Sequence, residues 1–362
     1  MTAFIIGAAR SAVVPRGGAF ARLQIEDLGA PVLRACLAAA GVEPGEVGEV
    51  VLSNALGAGG NPARRVALAA GLADRVAGLT IDRQCAGGLD AVLVARAMVV
   101  SGMAEVVVAG GVESHSRRPL RLRTDPDGGA AVAYNQARFT PWPDRDPDMA
   151  QAAAALALRL GISRSAQDDW AVRSHARAIM ADHRAEMVVL SGQARDPFAR
   201  GLTGAVAGRA KVVTGSITAA NAAVAADGAA FLVVVSERRA RQAARALRIA
   251  GGATLGADPV QPGLSPLPAI EMALRQAGVE AVGLAVSEVM EAYAVQAIAC
   301  VQGAGLDPLR VNTGGGALAR GHPIGASGAV LAVRLFHQMK AGFGLAAIAG
   351  AGGVGSALVV EA

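Results

Sequence analysis

Cys85 and His322 are rare residue types, one of three cysteines and one of five histidines, and each sits where a reactive side chain would be useful. Cys85 lies in TIDRQCAGGLDAVLVARAMVVSG, where a strand-like stretch runs into a helix-like one. A thiol at a helix N-terminus feels unpaired backbone N–H groups and the positive end of the helix dipole. Both lower its pKa and make thiolate available. Ala86, Gly87 and Gly88 follow it, and their small size would let a substrate approach the backbone. A free Cys is also often just a small buried residue, so this segment alone leaves both readings open. His322 lies in VNTGGGALARGHPIGASGAVLAVRLFHQM, flanked by glycines and followed by Pro323. That suits a loop holding a side chain near a ligand, and a helix after Gly325 would bring further N–H groups close. Cys with His is a nucleophile and base pair. GAGGVG at 350–355 supplies a third element: backbone N–H groups of Ala351 and Gly352 that could hold an oxyanion. It is no dinucleotide fingerprint, because the strand-like SALVVEA follows it and no G-x-G-x-x-G opens the chain.

The elements that must position these residues alternate. Ala3 to Ala8 reads as a strand. Leu28, Val32, Leu33, Cys36 and Leu37 share one face of a helix over 25–40, stopped at Gly41. Strands are expected at Val50–Leu52, Leu79–Arg83 and Glu105–Ala109, with helices over 62–71 and 86–101 between them. Such alternation argues for an α/β fold. From about 117 to 213 the character changes: Pro, Asp and Arg crowd RTDPDGG and PWPDRDPD, and helices follow at 149–160 and 164–183, with Ser163 or Ser165 as N-cap. This reads as an inserted, mostly helical lobe. Helices over 265–278, 291–304 and 325–340 then surround a strand at Ala285–Val289, and 344–361 give two last strands about a Gly-rich turn.

Hydrophobic residues are 53% of the chain and charged residues 17%, which supports a large core and excludes a disordered chain. With aromatics at 3%, that core must be built from Ala, Val and Leu. No apolar run reaches membrane-spanning length, and MTAFIIGAARSA reads as a buried strand and not as a signal peptide. The net charge of +5 comes without a Lys/Arg run interleaved with aromatics, so a nucleic-acid partner is not expected. The odd cysteine count and wide spacing suggest neither disulfides nor a metal site, and a reducing cytoplasm is the natural setting.

Together these segments resemble the thiolase superfamily. IDRQCAGGLDA is similar to its nucleophile segment and AGGVESHSRRP to its AGG-x-ES-x-S block. ISRSAQDDWAVRSHARA resembles a helix of its loop domain, GSITAANAAVAADGAA the return to the core, and VNTGGGALARGHPIGASGA the GHP-x-G block. The matches run in the family's order along nearly the whole chain. The resemblance implies an α/β, five-layered fold of two similar βαβαβαββ halves with an inserted loop domain. The expected division is 1–118 plus 214–238, 119–213 for the insert, and 239–362. It implies that Cys85 carries an acyl group taken from a coenzyme A thioester and that His322 activates it. It also implies that CoA is a substrate and not a resident cofactor, that the chain forms a homodimer or homotetramer, and that it serves fatty-acid metabolism. A further protein partner stays open.

The departures are specific. The family's N-E-A-F segment reads Met290-Glu291-Ala292-Tyr293 here, and Met cannot orient the water that its Asn holds. The usual second catalytic Cys falls at Ala349, the loop-domain His at Asp148, and a Ser near the CoA adenine at Ala223. Arg200 aligns with an Arg that lies against the CoA nucleotide. His115 replaces a usual Met, which leaves room for a rebuilt site that uses it. Glu291 either supports the structure or orients His322. Cys36 and Cys300 are expected in the core, and His175, His183 and His337 on the surface. Every part for acylating Cys85 is present, whereas the parts for the Claisen half are depleted. The leading expectation is a thiolase-type acyltransferase. The alternatives are an impaired acyl-CoA-binding subunit and a hydrolase in which water resolves the acyl-cysteine.

Overall fold

A computed structural model describes residues 2–57 and 59–362. The first half opens with β1 (Ala3–Ser11), α1 (Ile25–Ala40), β2 (Glu49–Ser53), α2 (Pro62–Ala69), β3 (Leu79–Ile81), α3 (Gly87–Val100) and β4 (Val106–Ser114). A lobe containing α4 (Met149–Leu160) and α5 (Arg164–Met180) follows, and the chain returns as β5 (Ala226–Ser236). The second half runs β6 (Leu247–Gly256), α6 (Pro266–Ala277), β7 (Leu284–Val289), α7 (Ala294–Gly303), α8 (Ile324–Gln338), β8 (Phe343–Gly350) and β9 (Val354–Glu361).

Local chemistry sets the helix ends. Gln24 and Asp27 form a capping box on α1, and Gly41 closes it at φ 63°, a left-handed conformation natural to glycine. Asp148 caps α4, and the Ser163 hydroxyl accepts from Ala166 N to cap α5.

The strands hydrogen-bond in the order β7-β8-β9-β6-β1-β5-β4-β2-β3. The two halves mirror each other about a short seam in which Phe4 pairs with Arg248 and Ile5 with Leu247. Where β3 closes the first half, the second has an isolated bridge between Ser287 and Val311. Three apolar cores define the layers. Residues of α1 and α2 cover one face of the first half, and those of α6 and α7, with the lobe helices, cover the outer face of the second. Between the halves, α3 and α8 contribute Leu89, Val92, Ala329 and Val333 to a shared central core.

The glycines after Cys85 act within that centre. A Cβ on Gly88 would lie 2.6 Å from Ala329 N, one on Gly328 would lie 2.3 Å from Leu89 N, and one on Gly87 would meet Ser53 Oγ at 2.1 Å. They let two helix backbones touch and so correct the expectation that their space serves the substrate.

Val212–Thr214 pairs with Ile217–Thr218 as a hairpin, so a division at 213/214 would cut through paired strands. Met187–Val188, from within the expected insert, pairs in parallel with β1. His175 is buried, contrary to the surface expectation, because the chain around Phe198 and Arg200 folds over it. His183 and His337 are half-buried. Cys36 and Cys300 are buried, as expected of core residues. Among the described residues, no helix is long and apolar enough to cross a membrane.

Candidate active site

Between β3 and α3 the chain makes one tight 3-10 turn, Gln84–Ala86, that carries Cys85. Gln84 sits at φ 50°, a left-handed conformation unfavourable for a side chain with a Cβ. Asp82 holds it there by accepting from Gln84 N at 2.8 Å and from its amide Nε2 at 3.0 Å. This bend turns the thiol toward a cavity of about 310 Å³.

His322 reaches the same cavity from the far end of the sequence. Its backbone N–H donates to Val224 O at 2.8 Å, pinning the loop to the chain entering β5. Gly321 before it has φ 111°, which glycine alone adopts without strain. The imidazole Nε2 lies 3.0 Å from Cys85 Sγ, and Nδ1 lies 2.6 Å from Ser327 Oγ. The Ser327 hydroxyl donates to Pro323 O at 3.2 Å, so its lone pairs face Nδ1. Nδ1 therefore carries the proton, and Nε2 presents a bare lone pair to the thiol.

Burial holds His322 down to about 4, with His115 adding to the effect. Burial pushes Cys85 up to about 12, opposed by the backbone amides of Ala351 and of Cys85 itself. The resting pair is a thiol hydrogen-bonded to a neutral imidazole. This corrects the expectation of a ready thiolate, because desolvation outweighs the helix terminus. Nor does the start of α8 offer its amides freely. Gly325 N donates to Glu113 at 2.9 Å, and Ala326 N and Ser327 N donate to Pro323 O.

Glu113 is the residue that sequence reasoning passed over. Buried at the end of β4, it accepts from Asn54 Nδ2 at 2.9 Å, Ala55 N at 3.1 Å, Leu56 N at 3.2 Å and Gly325 N. It ties the loop after β2 to the helix that follows His322. Burial raises it to about 7 against the pull of those amides. Its one sequence signal is an acid within the apolar run VVVAGGVES. Ser327 was missed as well, although its place five residues after His322 fits one turn of the loop into α8.

Glu291 does not reach His322. It accepts from Trp170 Nε1 at 3.0 Å, Ser174 Oγ at 2.7 Å, Asn312 Nδ2 at 2.7 Å and Leu318 N at 3.2 Å. Its carboxylate thus clamps α5 to the glycine-rich loop 312–318. Of the two roles left open for it, support of the structure is the one seen, and any effect on His322 passes through that loop.

Ala351, Ala223, His115, Ala349 and Tyr293 line the cavity with Cys85 and His322. Gly352, one step further round the turn, has φ 79° and rests against Phe139 instead. Met290 is 1% exposed in the central core and leaves the cavity wall to Ala292 and Tyr293. Asp148 is committed to capping α4, accepting from Ala150 N and Gln151 N. Arg200 lies elsewhere, in a second cleft with Arg209 and Lys211, its guanidinium 4.2 Å from the centre of the Phe198 ring. Ala220 lines that cleft and Ala223 the first, so they neighbour each other along the chain.

The geometry can deprotonate Cys85 as it attacks a carbonyl, with the Cys85 and Ala351 amides close to the developing charge. Known proteins share the whole framework. The sequence matches the family described as thiolase, N-terminal domain, over residues 3–198, and thiolase, C-terminal domain, over 243–362. It is 38% identical to an acetyl-CoA acetyltransferase of Cupriavidus necator, over 99% of this chain and 98% of that one. The crystal structure of the Bacillus anthracis acetyl-CoA acetyltransferase superposes with a TM-score of 0.89 at 34% identity, covering 99% of this chain and 98% of the other. That of human mitochondrial 3-ketoacyl-CoA thiolase gives 0.91 at 29% identity, covering 100% and 98%.

Proposed function

This chain belongs to the thiolase family, and from that premise we propose that it is an acyltransferase in which Cys85 takes the acyl group of a coenzyme A thioester. The observation that carries this reading is the 3.0 Å approach of His322 Nε2 to Cys85 Sγ, with Nδ1 held by Ser327. In the first half-reaction Sγ attacks the thioester carbon while its proton passes to Nε2. The carbonyl oxygen becomes an oxyanion near the amides of Cys85 and Ala351. The tetrahedral intermediate then expels CoA sulfur, which takes the proton back from His322. A neutral imidazole is required for the first transfer, and burial keeps His322 neutral.

Coenzyme A enters as substrate. The cleft of Arg200, Arg209 and Lys211 offers three cations to its nucleotide phosphates, and Ala223 borders the pantetheine path to Cys85. The first half comprises 1–118 with the return through β5, the lobe lies between, and the second half begins at 239. The chain acts as a homo-oligomer in the cytoplasm, within fatty-acid metabolism, and its free cysteines suit that reducing setting.

The test mixes purified protein with acetyl-CoA and longer acyl-CoAs, following intact mass and free CoA with time, with Cys85→Ala as control. An acyl mass on the wild type alone is the expected result. Product analysis then separates a 3-ketoacyl-CoA from a free acid made by hydrolysis. No adduct with any acyl-CoA would overturn the reading.

A further inference from the structure

The second half of a thiolase reaction removes a proton from the α carbon of an acceptor acyl-CoA, and the residue at the position of the family's second thiol is Ala349, which has no ionisable group. We propose that His115 is the base that takes this proton. The inference rests on the acyl-Cys85 reading above and extends it to the acceptor.

Elimination within the cavity points to this residue. Its lining side chains able to exchange a proton are Cys85, His322, His115 and Tyr293, beside the permanently charged Arg118 and Arg121. Cys85 is acylated at this stage, and His322, having given its proton to the departing CoA, keeps Nε2 against the Cys85 sulfur at 3.0 Å. Tyr293 is pushed up to about 12 by burial, so it donates hydrogen bonds and does not accept protons near neutrality. His115 remains.

Its placement fits the task. His115 is 8% exposed, borders the cavity with Cys85 and His322, and its buried Nδ1 has no hydrogen-bond partner on any other of the described residues. Buried polar groups without partners are rare, and one that lines a cavity with a reactive thiol is a candidate for a working role. The flanking residues fix its position. Ser114 Oγ donates to Leu23 O at 3.0 Å, and Ser116 N donates to Asp227 at 2.8 Å. Burial, then Arg118 and Arg16, keep the ring unprotonated, against the weaker pulls of its own backbone and of Asp227. A neutral imidazole is the form a base needs.

The step balances. A ring nitrogen of His115 takes a proton from the acceptor methyl as the C–H bond breaks. The resulting carbanion attacks the acyl carbon on Cys85, forming the C–C bond. The C–S bond to Cys85 then breaks, and the sulfur leaves as thiolate. The proton taken by His115 is passed to that thiolate, directly or through His322, which restores the starting enzyme.

Exchange of acetyl-CoA methyl hydrogens for deuterium in D₂O reads this step directly. It is measured by mass spectrometry beside the acetyl mass on Cys85, for wild type, His115→Gln and His115→Gln/Ala349→Cys. We expect exchange in His115→Gln to fall about 10²–10⁴-fold further than any loss of acetylation. Adding Ala349→Cys places a thiol on the same cavity wall and should recover exchange by about tenfold or more. Exchange at the wild-type rate in His115→Gln would overturn the proposal. So would equal loss of acetylation and exchange, or a wild type that acetylates without exchanging, and both of those leave acyl-Cys85 standing. A wild type that never acetylates would remove the reading beneath it.

Discussion

The region around Cys85 and His322 and the region around Ala349 and Met290 border the same chemistry but are built to different standards. In the first, the thiol, the imidazole and the buried acid all have partners: Nε2 faces the thiol, Nδ1 faces Ser327, and Glu113 gathers four donors from the loop after β2 and the start of α8. In the second, a methyl group fills the place of the family's second thiol. Met290 turns into the core, with its backbone N–H on Ala347 O. Under the proposed function, the support of the acyl-cysteine is intact, whereas the equipment expected for the acceptor has been replaced. Nucleophilic attack demands placement within tenths of an ångström, while a proton can be taken from an α carbon by different groups in different positions.

Breaking the well-supported side should give the larger effects. His322→Ala removes the base and should slow Cys85 acylation by about 10²–10⁴-fold, read as the rate of CoA release after rapid mixing. A loss under tenfold would mean the two regions differ less than their geometry says. Glu113→Ala orphans three backbone amides and one N–H of Asn54 Nδ2, whose other N–H stays on Val112 O. It should destabilise the fold by about 3 kcal/mol or more in urea titration. Gly88→Ala forces a Cβ onto the backbone of α8 and should cost about 1–3 kcal/mol. Because α3 follows Cys85 and α8 follows His322, acylation should slow with it. Ser327→Ala frees the imidazole tautomer and should slow acylation about fivefold, the value of one net hydrogen bond. No change there would assign Ser327 to helix packing alone.

Titration sharpens the same comparison without a mutation. With Cys85 at about 12, alkylation by iodoacetamide should climb steadily from pH 8 to 11 with no plateau near neutrality. A plateau near pH 7 would reveal a thiolate–imidazolium pair. Burial holds His322 down to about 4 in the folded chain, below the ordinary 6.5 of the unfolded one. The unfolded chain therefore binds the extra proton first. Stability from this group is complete above about 6.5 and falls as the pH drops from there toward 4. Glu113, raised to about 7 from 4.5, has the opposite sign: its stabilising contribution is complete below 4.5 and is lost as the pH rises through 7.

Much of this protein was legible in one dimension. Apolar spacing placed α1 at 25–40 with its observed bounds, since helix ends are set by nearest neighbours such as Gly41. Cys85 and His322 stood out because glycine-rich turns around a Cys and a His are themselves local signals. The partnerships were not legible. Glu113 meets Gly325 across 212 residues, and only pairing of β4 with β5 and the contact of α3 with α8 bring them together. Protonation was misread for the same reason. A helix terminus can be seen in a sequence, but the desolvation that overrides it is a property of everything packed around the sulfur. Residue order determined which elements form and which side chains can react. The tertiary structure decided which of those side chains meet, how dry their surroundings are and where each proton rests, because hydrogen bonding and burial depend on distances that chain order does not contain.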